Sequence, residues 1–132
     1  MSTIKSYSDL QQSKKLAEIL PLESADMYWF EGEPFVEAVT GYEEERAESH
    51  RQAGMEMYPC WSLAALLKQI PYVVCDDDGN PACLQINKKD DVYQLEYKDY
   101  YRDFESIETN RHEHFVDACY EMIIRLNELK LL

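Results

Sequence analysis

The cysteines are the side chains of this sequence that could most readily do chemistry. They are Cys60, Cys75, Cys83 and Cys119. A catalytic thiolate needs a histidine base and an oxyanion donor nearby. Cys60 is the best candidate, because a predicted helix begins there and a helix dipole lowers a thiol pKa. No glycine flanks it, however, and its neighbours Pro59 and Trp61 favour packing. We therefore expect a buried thiol and no catalytic residue.

Cysteine and histidine are also the usual ligands of zinc. Seven residues separate Cys75 from Cys83, and His112 and His114 form a His-x-His pair. A structural zinc site normally contains a Cys-x2-Cys knuckle, which this sequence lacks. We expect no metal and no cofactor, and we keep a small cysteine-dependent enzyme or a metal-binding protein as the alternative function.

A run of aspartates suggests calcium at first sight. The segment Asp76–Asn80 has the alternating oxygen ligands of an EF-hand loop. The glycine required at the sixth loop position is replaced by Pro81, and Ile86 or Asn87 stands where the closing glutamate belongs. The segment is therefore predicted to be a hairpin turn.

Tyrosines and glutamates supply the candidate protein-binding surface. Alternate tyrosines on a strand usually face the core, but those of the last predicted strand that face outward form a candidate binding patch, because tyrosine gives a large contact area at low entropic cost. A glutamate run in the acidic segment at about residues 31–54 adds charge. The candidate surface consists of Tyr93, Tyr97, Tyr100, Tyr101, Glu43, Glu44 and Glu45.

The charge of the chain narrows the class of partner. There are 13 lysines and arginines against 26 acidic residues, which gives a net charge of −13. Nucleic-acid backbones and anionic membranes both need a cationic face, so neither is expected as a partner. The first residues contain no apolar signal-peptide core, and no apolar run is long enough to span a membrane. A cytoplasmic protein with free thiols is predicted.

Three helices are predicted from caps and apolar spacing. The first is Ser8–Leu20, in which Ser8 is the N-cap and Gln11 completes a capping box. The second is Tyr58–Pro71, an almost wholly apolar segment with a proline near each end. Pro59 lies in its predicted first turn, where proline is tolerated. The last is about Glu113–Lys130, where apolar residues recur every three or four positions.

The predicted strands define the fold class. Tyr72–Cys75, Ala82–Asn87 and Val92–Tyr100 are separated by turn sequences, and Met27–Phe30 is a shorter candidate. The result is an α+β fold, an antiparallel sheet of three to four strands with about three helices packed mainly on one face. The element order is roughly α-β-(β)-α-β-β-β-α. We expect one domain, residues 1–132, whose acidic segment at about 31–54 is a candidate for mobility.

Three of these segments carry a family resemblance. Ser13–Pro21, Pro59–Leu67 and Val116–Ile124 resemble an uncharacterised family of small proteins from gut Bacteroides and their phages or mobile elements. The resemblance implies a cytoplasmic accessory protein, and it brings no catalytic residues to this sequence.

Together, these features predict a non-enzymatic accessory or binding protein that acts through protein–protein contacts. The acidic charge also suggests a sharper hypothesis, a mimic that occupies the nucleic-acid site of a basic protein. A homodimer is a further alternative.

Overall fold

The computed structural model of the chain describes residues 4–32, 35–40, 56–98 and 106–132, and for residues 31–40 it describes the backbone alone. The elements of these residues are α1 (Leu10–Leu16), β1 (Met27–Gly32), β2 (Phe35–Thr40), β3 (Glu56–Cys60), α2 (Leu63–Gln69), β4 (Val73–Cys75), β5 (Pro81–Lys89), β6 (Val92–Lys98), β7 (Ile107–Glu108) and α3 (Phe115–Glu128). A short 3-10 turn, Leu22–Ser24, precedes β1. The predicted α+β class, with three helices and antiparallel strands, is confirmed.

The N-cap of helix α1 lies one residue later than the sequence predicts. Asp9, not Ser8, is the N-cap: its carboxylate accepts the Gln12 N–H, and the Gln12 side chain accepts the Asp9 N–H. Ser8 is unavailable because its hydroxyl is fully buried and bonded to other residues. The next polar residue therefore closes the capping box.

The strands nearest α1 form an antiparallel sheet in the order β2-β1-β3. The central strand pairs Trp29 with Ala38 on one side and with Tyr58 on the other. The sequence predicted that Tyr58–Cys60 would begin the second helix, but these residues end β3. Pro59 is tolerated there because, among the described strands, β3 pairs only with β1 and is an edge strand.

Helix α2 consequently begins at Leu63. Ser62 precedes it, and the Ser62 hydroxyl accepts the backbone N–H of Ala65 at 3.2 Å. The Asp26 carboxylate in turn accepts the Ser62 N–H and the Ser62 hydroxyl, at 2.9 and 2.5 Å. A serine cap held by an aspartate thus replaces the predicted proline start.

The second sheet has the order β4-β5-β6-β7 and is antiparallel throughout. The predicted hairpin turn between β4 and β5 is confirmed. The Asp76 carboxylate accepts the backbone N–H groups of Asp78 and Asn80, and Gly79 has φ +80°. The β5–β6 turn is a two-residue one in which Asp90 and Asp91 both have positive φ, as the twist of a tight hairpin requires.

Helix α3 packs on β6, and its buried face forms the core against that strand. Its buried residues recur at helical spacing, and β6 presents Leu95 and Tyr97 in full burial. Six α3 residues form this stripe: Val116, Ala118, Cys119, Met122, Ile123 and Leu126. Leu95 and Tyr97, two positions apart in β6, therefore both face the core.

The chain divides into two compact units. One is Tyr7–Ala65, and the other combines Met1–Ser6 with Leu66–Leu132, so the boundary falls inside α2. A single cooperative domain of residues 1–132 stays a prediction, tested by whether both units unfold in one transition. Of the acidic segment at about 31–54, residues 35–40 form strand β2, and residues 41–54 lie outside the described residues.

Candidate functional site

Cys60, the residue singled out for nucleophilic chemistry, lies in a buried polar cluster of the Tyr7–Ala65 unit. Its sulfur is 3.6 Å from the Ser8 hydroxyl and 3.4 Å from the Ser8 carbonyl oxygen. The Ser8 hydroxyl also contacts the Ser13 hydroxyl at 2.7 Å and accepts the Trp61 N–H at 3.1 Å. Trp29 Nε1 donates to the Ser8 carbonyl at 3.0 Å. The cluster holds α1 against the end of β3.

The electrostatics of this cluster oppose catalysis by Cys60. Burial raises the pKa of the Cys60 thiol, and the charge of Asp26 adds to that rise, although hydrogen bonds with Ser8 and Ser13 counteract part of it. Cys60 is completely inaccessible to solvent. A protonated thiol without solvent access is a poor nucleophile, so the geometry fits a packing role.

The other cysteines differ in location. Cys119 is buried in α3, and burial raises its pKa to about 12. Cys75 is exposed and Cys83 is half-buried. They lie on the same face of the β4–β5 hairpin, where Cys75 is opposite Pro81 and Cys83 is opposite Val73. Among the described residues, no group of three or more histidine, cysteine or carboxylate side chains is arranged to hold a metal ion.

His112 takes part in a hydrogen-bond network with helix α3. Its Nε2 lies 2.7 Å from Glu121 Oε1, which also accepts the Asn110 backbone N–H at 2.9 Å. Arg125 Nε donates to the other carboxylate oxygen at 2.8 Å. Burial by itself would raise the pKa of Glu121, but these hydrogen bonds and the charge of Arg125 lower it.

The contact between His112 and Glu121 resembles an oriented histidine–carboxylate pair. The backbone hydrogen bonds of His112 explain where it lies. The N–H and C=O of His112 bond to Tyr93 at 2.8 and 2.7 Å, so His112 extends the sheet beside β6. Within the described part of the chain, no cysteine, serine or threonine hydrogen-bonds to its ring. His112 and Glu121 therefore join the segment before α3 to the helix.

The predicted tyrosine surface is only partly accessible. Tyr93 is half-buried, with its ring centroid 5.0 Å from that of Phe115 and 5.7 Å from the Lys88 ammonium. Tyr97 is fully buried, and its hydroxyl donates to the Pro71 carbonyl at 2.5 Å. Burial raises the pKa of Tyr97 far above its usual range. Its assignment to an exposed binding surface was wrong, because its side chain points to the core-facing side of β6.

The remaining residues of the predicted binding surface lie outside the described residues. They are Tyr100, Tyr101, Glu43, Glu44 and Glu45.

An exposed apolar strand edge was missed by the sequence analysis. Strand β4 is the first strand of its sheet, and among the described strands it pairs only with β5. Tyr72 is 71% exposed, Val73 is 43% exposed, and Cys75 is exposed as well. We call Tyr72, Val73 and Cys75 the β4 edge. A signal was present in the sequence: Val-Val-Cys contains none of the lysines or prolines that usually protect an edge.

Comparisons with known proteins identify no relative. No protein-family model, no curated protein and no solved structure matches the chain. Within the part of the chain that the structure describes, no helix is both long enough and apolar enough to cross a bilayer.

Proposed function

We propose that this protein is a non-enzymatic binding protein that acts through protein–protein contacts and engages a positively charged partner. The observation that carries the proposal is the exposure of Val73 in β4 and of Tyr72 just before it, where β4 is an edge strand among the described strands. Large apolar side chains beside unpaired backbone groups are costly to leave in water and prone to pair with another chain. A role in binding another protein would explain why these apolar side chains are exposed.

The charge supports a basic partner. A net charge of −13 creates a negative field that accelerates encounter with cationic proteins and discourages self-association. Asp77 and Asp78 add exposed negative charge directly after β4. Electrostatic attraction would bring the partner to the surface, and the apolar side chains would hold it.

An accessory role in a phage or mobile element is part of this proposal. Its support is the resemblance of Ser13–Pro21, Pro59–Leu67 and Val116–Ile124 to the Bacteroides-associated family. A cytoplasmic location would follow from that role.

Affinity capture with matched baits tests the proposal. The wild-type protein, a Tyr72→Ser variant and a Leu129→Ser variant are immobilised and exposed to a lysate of the cells that make the protein. Leu129 is an exposed apolar residue at the C-cap of α3 and is distant from the β4 edge in sequence, so it serves as the control.

We expect the wild-type and Leu129→Ser baits to retain the same basic protein in near-stoichiometric amounts, eluting as the salt concentration rises. The Tyr72→Ser bait should retain much less of it. A retained set without basic proteins, or one that is the same on all three baits, would contradict the proposal. Titration of the purified partner against the three baits then measures the loss.

A further inference from the structure

We propose that the partner binds by adding an extended, lysine- or arginine-bearing segment to the β4 edge as a further strand of the sheet. The inference rests on the proposed function, because it states where and how the partner binds. Its basis is the hydrogen-bond pattern of β4, the placement of its side chains and the charge at its end.

On one side, the backbone of β4 has no strand partner among the described residues. Leu84 N–H donates to the Tyr72 carbonyl at 2.8 Å, and Asp76 N–H donates to the Asn80 carbonyl at 3.0 Å. In an antiparallel pair the bonding residues alternate, so Tyr72, Val74 and Asp76 face β5. The N–H and C=O groups of Val73 and Cys75 therefore point away from β5. Among the described residues, no strand pairs with them.

The side chains of β4 offer contacts on both faces of the sheet. Successive residues of a strand point to opposite faces, so Tyr72 and Val73 are exposed on different sides. Val74, between Val73 and Cys75, is buried and anchors the strand to the core. An added strand would pack one set of alternate side chains against Tyr72 and the other set against Val73. Backbone bonds then provide affinity, and these contacts provide selectivity.

The aspartates that follow β4 favour a positive charge on the partner segment. Asp76 is engaged, because its carboxylate accepts bonds from the Asn80 side chain and from two backbone N–H groups. Asp77 and Asp78 are exposed. A strand extending past β4 would place its end beside these two charges. Lysine or arginine at that end would therefore be favoured.

A second copy of this chain fits the same edge less well. Two copies would each bring a net charge of −13, and each would carry its own Asp77 and Asp78 beside the shared edge. The repulsion opposes association. A basic segment of a different protein is the occupant that the charges favour.

Proline at position 73 gives a clean test of the inference. The Val73 N–H makes no bond to β5, so Val73→Pro leaves the β4–β5 ladder intact and removes one of the outward-facing donors. Val73→Thr is the matched control, because threonine keeps the β-branched shape and the N–H. Thermal unfolding of both variants checks that each retains the wild-type fold.

The probe is an acetylated and amidated peptide of alternating valine and threonine flanked by lysines at both ends. Two control peptides are used: one has glutamates in place of the lysines, and the other has N-methyl groups on alternate backbone nitrogens. Binding to the full chain is followed by NMR titration and by fluorescence anisotropy.

We expect the lysine peptide to shift the amide resonances of Val73 and Cys75. We expect at least about tenfold weaker binding for the N-methylated peptide, for the glutamate peptide and for the Val73→Pro protein. Val73→Thr should bind as the wild type does. Equal binding to Val73→Pro, or no binding of the lysine peptide at millimolar concentration, would overturn the inference. A dimer of the free protein that Val73→Pro abolishes would overturn it in favour of a second copy.

The outcome is separable from that of the proposed function. If the basic protein captured from lysate binds Val73→Pro as well as wild type, strand addition is wrong and protein binding stands. If no basic protein is captured by any bait, the proposed function itself is wrong.

Discussion

The four thiols differ in how far solvent reaches their sulfur atoms. Cys60 and Cys119 are buried, and burial raises the pKa of each. Cys75 is exposed, and Cys83 lies between these extremes. We expect a disulfide exchange reagent to modify Cys75 first and Cys83 more slowly, because it reacts with accessible thiolates. Cys60 and Cys119 should react only after unfolding in urea.

Absorbance kinetics with an aromatic disulfide measure this order of reaction. Cys75→Ser should remove the fast phase and leave the slow ones unchanged. A fast phase that persists in Cys75→Ser and disappears in Cys60→Ser would contradict the assignment, and it would favour the cysteine-dependent enzyme over the binding protein.

Glu121 predicts a pH dependence of stability. Its carboxylate accepts bonds from His112, Arg125 and the Asn110 amide, and its folded-state pKa is lowered. A group whose pKa is lower in the folded state stabilises the fold above its unfolded pKa, about 4.3 for glutamate. The contribution disappears as the pH falls through the lowered value.

We therefore expect Glu121→Gln to lower the free energy of unfolding by about 1 kcal/mol at pH 7 and by much less near pH 3. Urea unfolding at both pH values measures the difference from wild type. Glu113→Gln is the control, because Glu113 is exposed and precedes the same helix. A difference for Glu121→Gln that does not change with pH would show that the carboxylate charge is not what stabilises the network.

At the scale of the elements, the β4–β5 turn depends on one backbone conformation. Gly79 has φ +80°, and a Cβ placed on it would meet no atom within 4 Å. Any cost of substitution must therefore come from the backbone rather than from a clash. We expect Gly79→Ala to destabilise the protein by about 1–2 kcal/mol.

Asparagine tolerates this region of backbone space better than alanine does, so Gly79→Asn should cost less than Gly79→Ala. Thermal unfolding of the two variants gives the comparison. Equal losses for alanine and asparagine would point to a role for the empty space itself, not for the backbone angle.

The start of helix α2 is where prediction from the sequence fails most clearly. Pro59 is compatible with the first turn of a helix and equally with an edge strand. Only the pairing of Tyr58 with Trp29, which joins distant parts of the chain, decides for the strand. Local patterns predicted the extent of α3 and the Asp76–Asn80 turn well, because those signals lie within the elements themselves.

Tyr97 and Tyr72 differ in how far the sequence predicts their exposure. Alternation in β6 places Tyr97 on the same face as the apolar Leu95, and that face is buried, so its inclusion in the predicted surface overlooked a signal in the sequence. Tyr72 was overlooked because its exposure depends on β4 being an edge strand, and strand order is set by contacts across the whole sheet.

At the scale of the whole molecule, the net charge of −13 destabilises the folded state. Like charges repel more strongly in the compact state than in the unfolded chain. Raising the NaCl concentration from about 20 to about 200 mM shortens the Debye length roughly threefold and screens this repulsion. We expect the melting temperature to rise by a few degrees.

A variant with fewer charges distinguishes screening from a general salt effect. Asp77→Asn combined with Asp78→Asn removes two exposed charges, so its melting temperature should rise less with salt than that of the wild type. A melting temperature that falls with salt would mean that attractive pairs, such as Arg125 with Glu121, outweigh the repulsion.

The ion pair between Lys5 and Asp117 has a consequence for how the protein is made. Its atoms are 2.6 Å apart, although 112 positions separate the residues in the chain, and both belong to the unit formed by Met1–Ser6 and Leu66–Leu132. During synthesis Lys5 emerges long before Asp117, so this ion pair cannot form until α3 has been made. The residues of the other unit, Tyr7–Ala65, are all made before α3. We therefore expect Lys5 to reach its folded position later than its early synthesis would suggest.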